Sequence, residues 1–142
     1  MTRDEVTREI KGALGIVPSM FKTLPDQTLE LEWGLFKQVQ MNDDVIPAKY
    51  RELIGVAAGA ALGDEYCVVA HRELAKAFGA SAEELEVALG LAKGVAGWRT
   101  YLTGSGIGLE TLRSEIGQVC DFIRSSGAIG GERQAPQGVS TH

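Results

Sequence analysis

Two side chains with reactive chemistry stand four residues apart, Cys67 and His71, in the run Gly63-Asp64-Glu65-Tyr66-Cys67-Val68-Val69-Ala70-His71. On a helix, positions i and i+4 share a face, so a thiol and an imidazole at this spacing can approach each other. The thiolate is the reactive form of cysteine, and a neighbouring base or a positive environment favours it. Asp64 directly follows a glycine and fits an N-cap, which puts Cys67 at the third helical position. There the free N–H groups and the helix dipole favour an anion, so the position predicts a thiol pKa below that of a free cysteine. An ionised Asp64 would act in the opposite direction. Asp64, Cys67 and His71 span roughly 60° of helix face at ~100° per residue. An acidic residue, Glu52, sits near the start of the preceding helical stretch.

The same spacing has a plainer explanation. Leu74 and Phe78 continue the stripe, which then reads as the core face of an amphipathic helix, with Cys67 a small hydrophobe and His71 a satisfied core residue. Glu52 as a simple ion-pair partner of a nearby Arg or Lys is the matching account. Spacing alone leaves both readings open. Tyr66 is either a pocket-lining proton donor or a surface residue. Trp33, Trp98 and Tyr101 read as core or subunit-contact aromatics, and Cys120, beside Ile116 and Val119, reads as buried. His142 falls in the C-terminal tail.

The elements that must position these groups are all helical. Thr2-Arg3-Asp4-Glu5 has capping-box spacing and opens a helix ending about Gly12 to Gly15. Pro18 to Leu24 is a loop or a short helical turn. Apolar periodicity then runs from about Asp26 to Met41 through Leu29, Trp33, Phe36 and Val39. Pro47 fits the first position of a helix that stops at Gly63. The next helix covers about Asp64 to Phe78. Ser81-Ala82-Glu83-Glu84 is a second capping box, beginning a helix that reaches Leu102. Gly104-Ser105-Gly106 interrupts, and a last helix covers about Gly108 to Arg124. The expectation is an all-α domain of six or seven helices over 1–126, followed by a disordered tail at 127–142 that is poor in apolar residues.

Gly55, Gly59 and Gly63 recur every fourth residue amid alanines, and Gly90, Gly94 and Gly97 follow a similar pattern. Each helical glycine costs about 0.5–1 kcal/mol relative to alanine. Close helix–helix approach, within the subunit or between subunits, must compensate.

Bulk properties exclude several classes. The chain has 142 residues, a net charge of −5 and a pI near 5.0, with its Lys and Arg scattered. No basic face is present for nucleic acid. The charged N-terminus lacks an apolar leader segment, and the longest apolar run, Leu53 to Leu62, is too short to span a membrane. Two distant cysteines form neither a disulfide framework nor a zinc site, which points to a reducing cytoplasm. No nucleotide, flavin, haem or metal motif occurs, so neither a cofactor nor a metal is expected.

Ile46-Pro47-Ala48-Lys49-Tyr50-Arg51-Glu52-Leu53-Ile54, the alanine-rich run after it and Glu65-Tyr66-Cys67-Val68-Val69-Ala70-His71 together resemble the carboxymuconolactone decarboxylase family, in particular its alkylhydroperoxidase D-like branch. The likeness covers about residues 15 to 113. That branch carries C-x-x-C-x-x-x-H with a glutamate fifteen residues before the second cysteine. Cys67, His71 and Glu52 match the second cysteine, the histidine and the glutamate. Asp64 stands where the first cysteine would be, so the disulfide that the branch is thought to close cannot form at this position. The decarboxylase branch is also similar, through Arg51-Glu52-Leu53-Ile54 and the histidine, and generally has no cysteine in the place of Cys67.

The resemblance implies an oligomeric helical fold, trimer or hexamer, acting on a small molecule. It implies catalytic roles for Cys67, His71 and Glu52, with Asp64 and Tyr66 at the substrate pocket. A peroxiredoxin-like, antioxidant hydroperoxide reductase follows if Cys67 is the nucleophile. Its sulfenic acid would then need an external thiol, Cys120 or another subunit. Two alternatives remain: an acid–base decarboxylase or lactone-processing enzyme using Glu52 and His71, and a non-catalytic oligomeric scaffold.

Overall fold

The computed structural model describes residues 1–127. Among the described residues there are seven helices and no strand: α1 (Arg3–Leu14), α2 (Ser19–Lys22), α3 (Asp26–Gln40), α4 (Ala48–Leu62), α5 (Glu65–Ala77), α6 (Ala82–Ser105) and α7 (Leu109–Ser125). Short-range chemistry sets most boundaries. Thr2 and Glu5 form a reciprocal capping box at the start of α1. Ser81 and Glu84 do the same before α6, through bonds of 2.9 and 3.0 Å. Pro47 lies one residue outside α4, as its N-cap rather than its first residue, because its ψ of 145° is not helical. Gly63 ends α4 in the left-handed region at φ 70°, which only glycine adopts without cost. The expected interruption at Gly104–Gly106 comes later than expected: α6 continues through Ser105 and stops at Gly106, whose φ is 72°.

The chain divides into two units, Met1–Ala96 and a second beginning at Gly97. In the first, Val6 and Ile10 of α1 meet Phe21, Leu29 and Trp33, with Leu14, Val17, Leu24 and Phe36 packed around them. Phe21 meets Trp33 edge-on at 5.5 Å, while Phe36 stacks on Trp33 at 5.8 Å. A second cluster joins Val56 of α4, Ala75 of α5 and Leu85 of α6. Lys49 and Glu84 tie the start of α4 to that of α6 at 2.7 Å.

The tight pair is α4 against α5, and the glycine repeat explains it only in part. A Cβ on Gly55 would lie 2.6 Å from two atoms of the His71 ring, and one on Gly59 would lie 3.2 Å from Cys67 Cβ and Val68. Both glycines therefore permit close approach. Gly63 instead serves the left-handed cap, and Gly90, Gly94 and Gly97 have nothing within 4 Å. α5 buries Ala75, while Leu74 and Phe78 stay 44% and 48% exposed. The stripe, whose plainer reading was a core face, is thus only partly one.

In the second unit, Trp98 and Tyr101 make an edge-on ring contact at 5.9 Å and both are exposed. They are not core residues of this chain. α7 has a polar and an apolar side, and none of its residues is buried. Cys120 is half-buried rather than buried, next to the exposed Ile116 and Val119. α7 extends to Ser125, and the segment expected to be a disordered tail lies, beyond Gly127, outside the described residues.

Candidate functional site

Glu52 lies in the second turn of α4, after Pro47, whose carbonyl accepts the Tyr50 and Arg51 N–H groups. At 3% exposure it is a buried carboxylate, and burying a charge costs several kcal/mol unless it is partnered. Its Oε2 lies 2.7 Å from Nδ1 of His71 on α5. A carboxylate only accepts, so Nδ1 carries the proton and the ring lone pair rests on Nε2. The close α4–α5 approach at Gly55 makes room for the ring. Residues nineteen apart in sequence thus form one acid–base pair.

Cys67 is bound to a different carboxylate. Asp64 is the N-cap of α5, and its Oδ1 accepts the Cys67 backbone N–H at 3.1 Å. A side-chain hydrogen bond to Asp64, burial and the Asp64 charge push the thiol pKa up. Asp64 in turn is held below the usual carboxylate range by its hydrogen bonds to the Cys67 side chain and backbone, helped by His71. The expectation of a lowered thiol pKa is therefore corrected. The helix N-terminus favours an anion, but Asp64 already supplies one, and the thiol donates to it instead of ionising beside it.

Cys67 and His71 sit on one face, one turn apart, each paired with its own acid. Asp64 also borders a groove of about 420 Å³ lined by Gly59, Ala60, Gly63, Glu65, Val68 and Val69. Tyr66 is 90% exposed and does not line this groove. Among the described residues, no three His, Cys, Asp or Glu side chains converge as a metal site requires. None of the described helices is long and apolar enough to cross a membrane.

Sequence reasoning offered a nearby Arg or Lys only as a plain ion-pair partner of Glu52 and did not single out Arg51. Its guanidinium lies beside the pair, with Nε 3.4 Å from Glu52 Oε1, and Nη1 donates to the Asn42 carbonyl at 3.1 Å and to the Asp43 carboxylate. Neighbouring helix positions point about 100° apart, so spacing could not have placed these two together. The acids at 43 and 44 just before α4 were the available signal.

Comparison with known proteins agrees with this architecture. Residues 23–106 match the carboxymuconolactone decarboxylase family. The chain is similar to the crystal structure of the alkylhydroperoxidase AhpD core from Rhodospirillum rubrum, with 22% sequence identity and a TM-score of 0.68. That match covers 75% of this chain and 81% of the other. At this identity it establishes the fold. No curated protein matches the chain.

Proposed function

The chain belongs to the carboxymuconolactone decarboxylase family, and on that premise we propose that it is a thiol-dependent hydroperoxide reductase with Cys67 as nucleophile. The observation that carries this reading is the 2.7 Å Glu52–His71 pair, one helical turn from a cysteine at the third position of α5. Glu52 fixes the imidazole through Nδ1, leaving Nε2 as the base. Asp64 holds the thiol protonated at rest, so activation falls to His71.

His71 takes the thiol proton, and the sulfur attacks the terminal peroxide oxygen. The O–O bond breaks, and the departing alkoxide takes the proton back from the imidazolium and leaves as an alcohol. Cys67 is oxidised to a sulfenic acid as the peroxide is reduced. With Asp64 in place of a second thiol, an external thiol condenses with the sulfenic acid and releases water. A second external thiol frees Cys67 and departs as a disulfide.

A reducing cytoplasm suits two free cysteines and supplies such thiols. Exposed Val87, Leu91 and Val95 on α6 support assembly as a homo-oligomer, trimer or hexamer.

Turnover of an alkyl hydroperoxide with dithiothreitol tests the reading. Cys67→Ser should lose it while staying folded, and Cys120→Ser should keep it; full turnover in Cys67→Ser would overturn the proposal.

The raised thiol pKa favours a second reading, in which Glu52 and His71 move protons on a small carboxylated or lactone substrate and Cys67 only lines the site. Cys67→Ser would then remain active and His71→Ala would not.

A further inference from the structure

Glu52 is buried and has two oxygens to satisfy. His71 engages only Oε2. Oε1 faces Nε of Arg51 at 3.4 Å, the long end of hydrogen bonding, where the charge contributes more than the bond itself. The Arg51 side chain is itself only 16% exposed. Its other arm is fixed to the segment before α4, through the Asn42 carbonyl at 3.1 Å and the Asp43 carboxylate. That segment is held in turn, since Asn42 Oδ1 accepts the Asp44 N–H at 2.9 Å in an Asx turn. The guanidinium fork therefore spans from a locked turn to the buried carboxylate.

We propose that Arg51 is a positioning residue for the Glu52–His71 pair, orienting the Glu52 carboxylate so that Oε2 faces His71 Nδ1. The rigid fork of arginine suits this task, because one arm can hold the turn while another meets Oε1. An ion pair serving only to anchor the turn would need Asp43 and Asn42 alone. The contact with Glu52 carries that anchorage to the acid–base pair. With Arg51 in place the carboxylate plane is set before any substrate arrives. Without it Glu52 is free to rotate, and His71 loses the partner that keeps its proton on Nδ1. The inference takes the pair as the working group of the proposed function, but it concerns geometry that exists before any reaction.

The test uses the full chain with labelled histidine and reads the solvent exchange of the His71 Nδ1 proton by nitrogen-15 NMR, alongside hydroperoxide turnover. In Arg51→Met the exchange should be about tenfold faster, the effect of losing one charge-assisted contact. Asp43→Asn, on an exposed side chain, should move it about two- to threefold in the same direction by loosening the fork. Unchanged exchange in folded Arg51→Met overturns the proposal. If that variant does not fold, unchanged exchange in Asp43→Asn overturns it. Faster exchange in a protein that turns over no peroxide supports the role of Arg51 and counts only against the proposed reaction.

Discussion

Gly55 has no side chain because the His71 ring occupies the space that one would need: a Cβ there would come within 2.6 Å of Nδ1 and Cδ2. The ring that Glu52 holds from one direction is thus pressed from another by the backbone of α4. Gly55→Ala should destabilise the fold by about 1–3 kcal/mol, as overpacking does, and should displace His71 from Glu52. Gly12→Ala is the contrast, since nothing lies within 4 Å of that position and it sits within α1. It should stabilise by about 0.5–1 kcal/mol. Denaturant unfolding of the two variants checks both signs.

The thiol of Cys67 should titrate above the ordinary cysteine value of about 8.5, because Asp64 accepts its hydrogen bond and repels the thiolate. Alkylation rate against pH in Cys120→Ser measures this. Asp64→Asn keeps an N-cap residue but removes the charge. It should shift the profile to lower pH and speed alkylation at pH 7 by about three- to tenfold. An unshifted profile would mean that Asp64 does not control the thiol.

Local chemistry made much of the chain legible from sequence. The capping boxes at Thr2 and Ser81 and the glycine stop at Gly63 are decided within a few residues, and each stands where its pattern put it. The face that α5 buries was not so decided. A stripe through Leu74 and Phe78 says which side is apolar, not whether another element covers it, and Ala75 alone is buried there. The Glu52–His71 contact crosses two helices, so no periodicity within either helix could show it; the spacing shared with a known family did. Asp64 was legible as a cap, but which of two opposed effects would govern Cys67 depended on side-chain geometry. Arg51 stayed hidden because its fork reaches backward, to Asn42 and Asp43, as well as to its neighbour.

Ser81→Ala removes one half of a reciprocal cap, in which Ser81 Oγ accepts the Glu84 N–H at 3.0 Å. It should cost about 1 kcal/mol of stability. The loss should appear as a lower melting temperature with little change in Cys67 alkylation, since the cap lies at α6 and not beside the thiol. A change of alkylation as large as that from Asp64→Asn would contradict the separation of cap and site.

Acid should unfold the protein through its capping carboxylates. Asp64, Glu5 and Glu84 are all held below their ordinary values, Asp64 chiefly by the Cys67 side chain, Glu5 by the Thr2 backbone and Glu84 by Lys49. A carboxylate whose pKa is lower folded than unfolded stabilises the fold at pH above the unfolded value of about 4. That contribution is lost as pH falls through the folded value. The melting temperature should therefore be flat above about pH 5 and fall below about pH 4, less steeply in Asp64→Asn. An equal fall in that variant would remove Asp64 from the account.

The most direct measurement is the rate of sulfenic acid formation at Cys67 after a pulse of alkyl hydroperoxide, followed by mass spectrometry in Cys120→Ser with and without His71→Ala. With Cys67 as nucleophile and His71 as its base, sulfenic acid should form readily in the first protein. In the second it should form about 10²-fold or more slowly, the usual loss on removing a general base. No sulfenic acid in the first protein, or equal rates in the two, would contradict the assignment of Cys67 and the Glu52–His71 pair to a single reaction.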